Sequence, residues 1–161
     1  MNDAQIDDVG TFLAYAIRLE EDAAQRFADL AEAMKIYGNA DVAQFFARMA
    51  QFSRMHLEEA RKRAAFHTVP SIPANEFCWP GDESPEATSM EGSHYLMTLD
   101  YAFDLALESE ERGYAFYATV FDRTTDSDVK VLAREFRDEE AEHVAELKRW
   151  MTKLNLPAAA A

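Results

Sequence analysis

A chain of 161 residues, 48% apolar and 12% aromatic, is the size of one domain and can bury a core without staples. Its 30 acidic against 16 basic residues leave a formal charge of -14, which repels nucleic acid and anionic membrane surfaces. The longest uncharged stretch, Ala64 to Asn75, is too short to cross a bilayer, and the acidic opening MNDAQIDDVG has no apolar export segment, so the expected location is the cytoplasm. The lone Cys78 suits a reducing compartment and leaves any metal to nitrogen and oxygen ligands.

From Val9 the apolar positions Leu13, Ile17, Ala24, Phe27, Ala31 and Met34 recur at helical spacing and stop at Gly38, a residue suited to a left-handed cap. A second helix follows an Asn39/Asp41 cap through Val42, Phe45, Met49, Phe52, Leu57 and Ala60. Residues 68 to about 94 hold four prolines and no period, which predicts a long connection with one short helical turn. A third helix carries Leu99, Phe103, Ala106, Tyr117 and Phe121, and a fourth carries Val129, Leu132, Phe136, Leu147, Met151 and Leu154. No segment alternates with period two. The short joints make hairpins of residues 6–66 and 95–155, and the long connection lets helices two and three run parallel. The expected architecture is an all-α four-helix bundle, one domain over residues 1–161, built of two hairpins and a crossover. The halves also resemble each other: Asp41-Val42 leads to His56 and Asp128-Val129 leads to His143 over the same distance.

Several polar residues stand where the stripes call for core. Glu20 lies between Ile17 and Ala24, Glu110 between Ala106 and Tyr117, and Glu140 with His143 between Phe136 and Leu147. Helix two has Ser53 and His56 at the corresponding places. Buried carboxylates need a cation, protons or a basic side chain to neutralise them. A carboxylate and imidazole set without thiolate suits iron, manganese or zinc, and a shared glutamate can hold two ions close together. The competing reading is a set of buried salt bridges to nearby arginine or lysine. Other candidates take plainer roles: His67 and His94 solvated, Glu21, Glu58, Glu111, Glu139 and Glu142 on a solvated face, Cys78 packed in the crossover, and Tyr15, Tyr114 and Tyr117 core aromatics.

The segments LEEDAAQRF, ESEERGYAFY and EEAEH resemble the helix motifs of the ferritin-like superfamily, and within it the rubrerythrin-like di-iron proteins, over about residues 6–154. The resemblance implies a ferritin-like fold and metal ligands at Glu20, His56, Glu110, Glu140 and His143, holding one or two iron ions that react with O₂ or peroxide or oxidise Fe²⁺. It also implies a homodimer. Three departures qualify it. Ser53 replaces the glutamate of the helix-two motif, Gly113 replaces a further glutamate on helix three, and no cysteine-rich rubredoxin domain is present, so electrons would come from a separate donor protein. The alternatives are a non-enzymatic metal-binding bundle, favoured by Ser53, and a metal-free structural bundle acting through helix-face pairing.

Overall fold

Helix α1 (Val9–Ile36) begins where Asp8, in extended backbone, accepts a hydrogen bond from the Thr11 N–H. It ends at Gly38, whose φ of 75° allows the Asn39 N–H to turn back and donate to Met34 O at 2.9 Å. Helix α2 (Ala40–Ala64) follows at once, as the spacing predicts. Asn39 makes no capping bond with its side chain; its Nδ2 instead donates to Met97 O at 2.8 Å. Helices α3 (Leu99–Arg123) and α4 (Ser127–Lys153) form the second hairpin, with Asp126 accepting from the Asp128 and Val129 N–H groups to cap α4. The computed structural model describes residues 5–90 and 94–157, and no strand occurs among them. Residues 1–4 of the acidic opening, 91–93 of the crossover and 158–161 lie outside that description.

Two polar links define how the hairpins meet. The Asn39 bond to Met97 puts the start of α2 beside the start of α3, so these helices run parallel. Asp7 Oδ1 accepts from Thr124 Oγ1 at 3.0 Å and from the Thr125 N–H at 2.7 Å, which puts the start of α1 beside the end of α3. The molecule is a four-helix bundle of two antiparallel hairpins joined by a long crossover. No helix among the described residues is long and apolar enough to cross a membrane.

The crossover has two short 3-10 turns, Ala74–Glu76 and Pro80–Asp82, where the sequence suggests one. It lies against α1 through Tyr15, whose ring meets Phe77 and Trp79 at centroid distances of 4.9 and 4.8 Å and whose hydroxyl accepts from the Cys78 N–H at 2.9 Å. Cys78 itself is exposed, so the expectation that it packs is corrected: the aromatic residues on either side hold the strap, and its thiol points away. Tyr114 is also corrected, being 40% exposed, whereas Tyr15 and Tyr117 are buried core aromatics as expected.

The apolar core comes in two blocks. One is built from Phe27, Phe45, Phe46, Met49, Phe103 and Leu147, the other from Phe12, Leu19, Ala60, Phe116, Tyr117 and Phe136. On each helix the gap between blocks falls where the stripe is broken: at Glu20, at Ser53 and His56, at Glu110 and Gly113, and at Glu140 and His143. A polar layer thus crosses the middle of the bundle, clamped between apolar ends that set its dimensions.

Candidate metal centre

Each half of the chain sends its residues into this layer from equivalent positions. Helix α1 contributes Glu20 and α3 contributes Glu110, both buried. Helices α2 and α4 contribute His56 and His143, whose rings stack at 4.0 Å with 8° between planes. Glu140, one turn before His143, is 2% exposed. The five residues singled out by periodicity therefore meet in one layer. Glu110, Glu140 and His143 form a group whose ligand atoms all lie within 4.8 Å of one another. His143 Nδ1–H donates to Glu110 Oε2 at 3.1 Å and is shared with Glu140 Oε2 at 3.3 Å. His56 stands slightly apart, its Nδ1 3.8 Å from Glu20 Oε1.

A sixth residue joins them that periodicity does not reveal. Glu86, in the crossover, is 2% exposed, and with Glu20 and Glu140 it forms a second group within 4.8 Å. Glu140 is common to both groups. Only one feature of the sequence bears on it, and indirectly. Gly113 is a glycine in the interior of a helix, which calls for a steric reason but does not say what fills the space.

Burial and crowding dominate the proton affinities. Burial, then the neighbouring Glu140 and Glu110, hold the Glu20 carboxyl well above its ordinary value, and burial with Glu140, Glu20 and Glu110 does the same to Glu86. Glu140 is pushed up to about 8 by burial and by Glu110, against the hydrogen bond from His143. Burial also pushes Glu110 up, but hydrogen bonds from His143 and Glu140 and the charge of both histidines outweigh it and leave this carboxyl below its ordinary value. His143 resists its burial through its bonds to Glu110 and Glu140 and rises to about 10, whereas burial and the facing His143 lower His56 to about 4. In the metal-free protein the raised Glu20, Glu86, Glu140 and His143 all favour binding a proton, which lowers the negative charge of the layer.

The salt-bridge alternative does not match this arrangement. The described ion pairs of arginine and lysine all go to other carboxylates, such as Arg63 to Glu135 and Glu139 and Arg61 to Glu21. Glu20 Oε2 and Glu86 Oε1 are buried with no hydrogen-bond partner. Carboxylates with no arginine or lysine ion pair among the described residues, orphaned oxygens and an adjacent imidazole fit a divalent cation of the iron or manganese kind. The Tyr117 hydroxyl is buried and unpartnered too, and burial together with Glu140, Glu20 and Glu86 raises its pKa well above the ordinary value. Tyr117 is thus a core aromatic whose polar end belongs to the site. A cleft of about 260 Å³, walled by Met49, Phe52, Met55, Leu147 and Trp150, leads to His56, Glu110 and His143. His67 and His94 are exposed, as are Glu58, Glu111, Glu139 and Glu142, with Glu21 half-buried, in keeping with a solvated role for all seven.

The fold and this layer define the chain as a four-helix bundle with a buried carboxylate and histidine cluster able to hold metal. It is 34% identical to an uncharacterized conserved protein from Magnetospirillum magnetotacticum MS-1, whose crystal structure matches it with a TM-score of 0.68 over 96% of this chain and 99% of the other. The chain belongs to the same family as that protein. No protein-family model matches the chain, and no curated protein matches it.

Proposed function

We propose that the chain is a rubrerythrin-like non-haem metalloprotein in which Glu20, His56, Glu110, Glu140 and His143 bind iron, and that it oxidises Fe²⁺ or reacts with O₂ or peroxide. The observation that carries this reading is a buried set of carboxylates with orphaned oxygens, one histidine bonded between two of them, and no arginine or lysine ion-paired to any of them among the described residues. Iron bound there would supply the one-electron redox chemistry that amino-acid side chains lack. The chain's own residues do the rest. Glu110 and Glu140 orient His143 through its Nδ1, which fixes the ring against rotation. Glu140 holds a proton at neutral pH that cation binding must release. The cleft walled by Met49, Phe52, Met55, Leu147 and Trp150 opens onto His56, Glu110 and His143 and gives a small oxidant a route to them. Electrons for repeated turnover would come from a separate donor protein, the surroundings being a reducing cytoplasm, and the working unit is a homodimer.

A second reading, iron held without turnover, is favoured by Ser53, which is buried where a carboxylate would otherwise complete the helix-two motif. Metal analysis of protein purified without chelator, followed by stopped-flow Fe²⁺ oxidation with O₂ and with peroxide and by donor-coupled peroxide reduction, tests both. The proposal expects bound iron and Fe²⁺ oxidation with little peroxidase turnover, because Ser53 and Gly113 both depart from the peroxidase motif. Iron binding without oxidation would establish the second reading, and absence of any bound metal would refute both.

A further inference from the structure

Glu86 lies outside every helix, yet only 2% of it is exposed, and three side chains from α1 and α3 hold its backbone in place. Arg112 Nε donates to Pro85 O at 2.6 Å, Ser109 Oγ to Glu86 O at 3.1 Å, and Arg26 Nη1 to Thr88 O at 2.7 Å. The Ser109 hydroxyl is itself fully buried. Such anchoring leaves the carboxylate of Glu86 one direction to extend, inward to Glu20 and Glu140.

Gly113 makes room for it. The glycines with left-handed backbone are Gly38 and Gly81, so Gly113 has ordinary helical geometry and needs no special φ. Glycine is a poor choice for a helix interior without a steric reason, and here the reason is explicit. A Cβ at position 113 would lie 2.1 Å from Glu86 Oε1 and 3.0 Å from its Cδ. The space that any side chain on α3 would fill is taken by a carboxylate arriving from the crossover. That carboxylate and its neighbour Glu20 each keep one buried oxygen without a partner, Glu86 Oε1 and Glu20 Oε2.

We propose that Glu86 is a metal ligand delivered by the crossover, and that with Glu20 and the shared Glu140 it completes a second divalent-cation position beside that of Glu110, Glu140 and His143. This rests on the metalloprotein reading above and deepens it. Three carboxylates with His56 at their edge form a hard, oxygen-rich donor set suited to Fe²⁺ or Mn²⁺. The glutamates lacking at Ser53 and Gly113 are compensated by one reaching in from outside the helices, so the site is rebuilt and holds two ions.

The test is anaerobic titration with Mn²⁺ and with Fe²⁺ by equilibrium dialysis, alongside thermal melts with and without metal, for the wild type, Glu86→Gln and Gly113→Ala. The wild type is expected to take two ions per chain. Glu86→Gln, which keeps shape but cannot supply the carboxylate a cation needs, should take one, and its chelator-treated form should melt no lower than the wild type because the cost of holding a proton on a buried carboxyl is gone. Gly113→Ala leaves the charge and displaces the carboxylate, and should lose the same ion. Two ions retained with wild-type affinity in both variants, or one ion in the wild type and both variants alike, would overturn the assignment of Glu86 while leaving the metalloprotein reading intact. No ion bound to the wild type would overturn both.

Discussion

The approach of Glu86 to Gly113 makes a sign-changing prediction about stability in the metal-free protein. Replacing an interior helical glycine by alanine ordinarily stabilises by about 0.5–1 kcal/mol, since alanine loses less backbone freedom on folding. At position 113 the new methyl would overlap Glu86 Oε1, at 2.1 Å. The segment carrying Glu86 cannot withdraw as a unit while Arg112, Ser109 and Arg26 hold its carbonyls, so the side chain must leave its rotamer or α3 must shift. Overpacking of this kind costs about 1–3 kcal/mol. Gly113→Ala should therefore destabilise the wild type by about 0.5–2 kcal/mol and stabilise a Glu86→Ala background by about 0.5–1 kcal/mol. The coupling between the two positions should be about 1–3 kcal/mol, well above the few tenths typical of independent sites. Urea unfolding in chelator, followed by circular dichroism for the four chains of the cycle, gives the number. The same effect of Gly113→Ala in both backgrounds would refute the placement of Glu86 over Gly113.

Further consequences concern the metal, the proton balance and the strap. Glu140→Gln should abolish binding of both ions because both ligand groups use Glu140, whereas Glu20→Gln should mainly weaken one; equal losses in a Mn²⁺ titration would contradict the shared role. Above pH 6.5 the metal-free protein should lose stability as pH rises. There the folded state keeps protons that the unfolded chain has released, on Glu140 until about 8 and on His143 until about 10. His56, lowered to about 4, acts oppositely but only between there and its ordinary 6.5, so a melting temperature that climbs from pH 6.5 to 8 in chelator would refute the assignment. Metal affinity should rise over the same interval, because binding expels those protons, and dialysis at several pH values would measure it. Tyr15→Phe removes the acceptor of the Cys78 N–H and should cost about 1 kcal/mol in urea unfolding; an unchanged midpoint would mean that the aromatic contacts alone secure the strap.

The sequence by itself determined the four helices, because helical period, Gly38 and the caps are local matters decided within a few turns. It also determined that Glu20, Glu110, Glu140 and His143 point inward, since an apolar stripe on either side of a polar residue leaves that residue no other direction. Four of the five prolines lie together in the middle of the chain, which was enough to imply a long crossover and, with it, parallel α2 and α3. Position along the chain could not say where the crossover's own side chains go, because a segment without period carries no face. The burial of Glu86 arises from three hydrogen bonds to α1 and α3 that are 62, 23 and 27 residues distant in sequence, and only the assembled bundle brings them together. The meaning of Gly113 follows from the same approach: in the sequence it is a missing carboxylate, and in three dimensions it is the opening through which another one enters. Tyr114 and Tyr117, three residues apart on one helix, separate into an exposed ring and a buried one for a related reason: Tyr117 packs against Phe12 of α1 and Phe136 of α4, on the side of α3 that faces the bundle. The proton affinities were likewise a tertiary matter, since burial and the mutual repulsion of carboxylates from α1, α3, α4 and the crossover exist only when all four elements have closed around one layer.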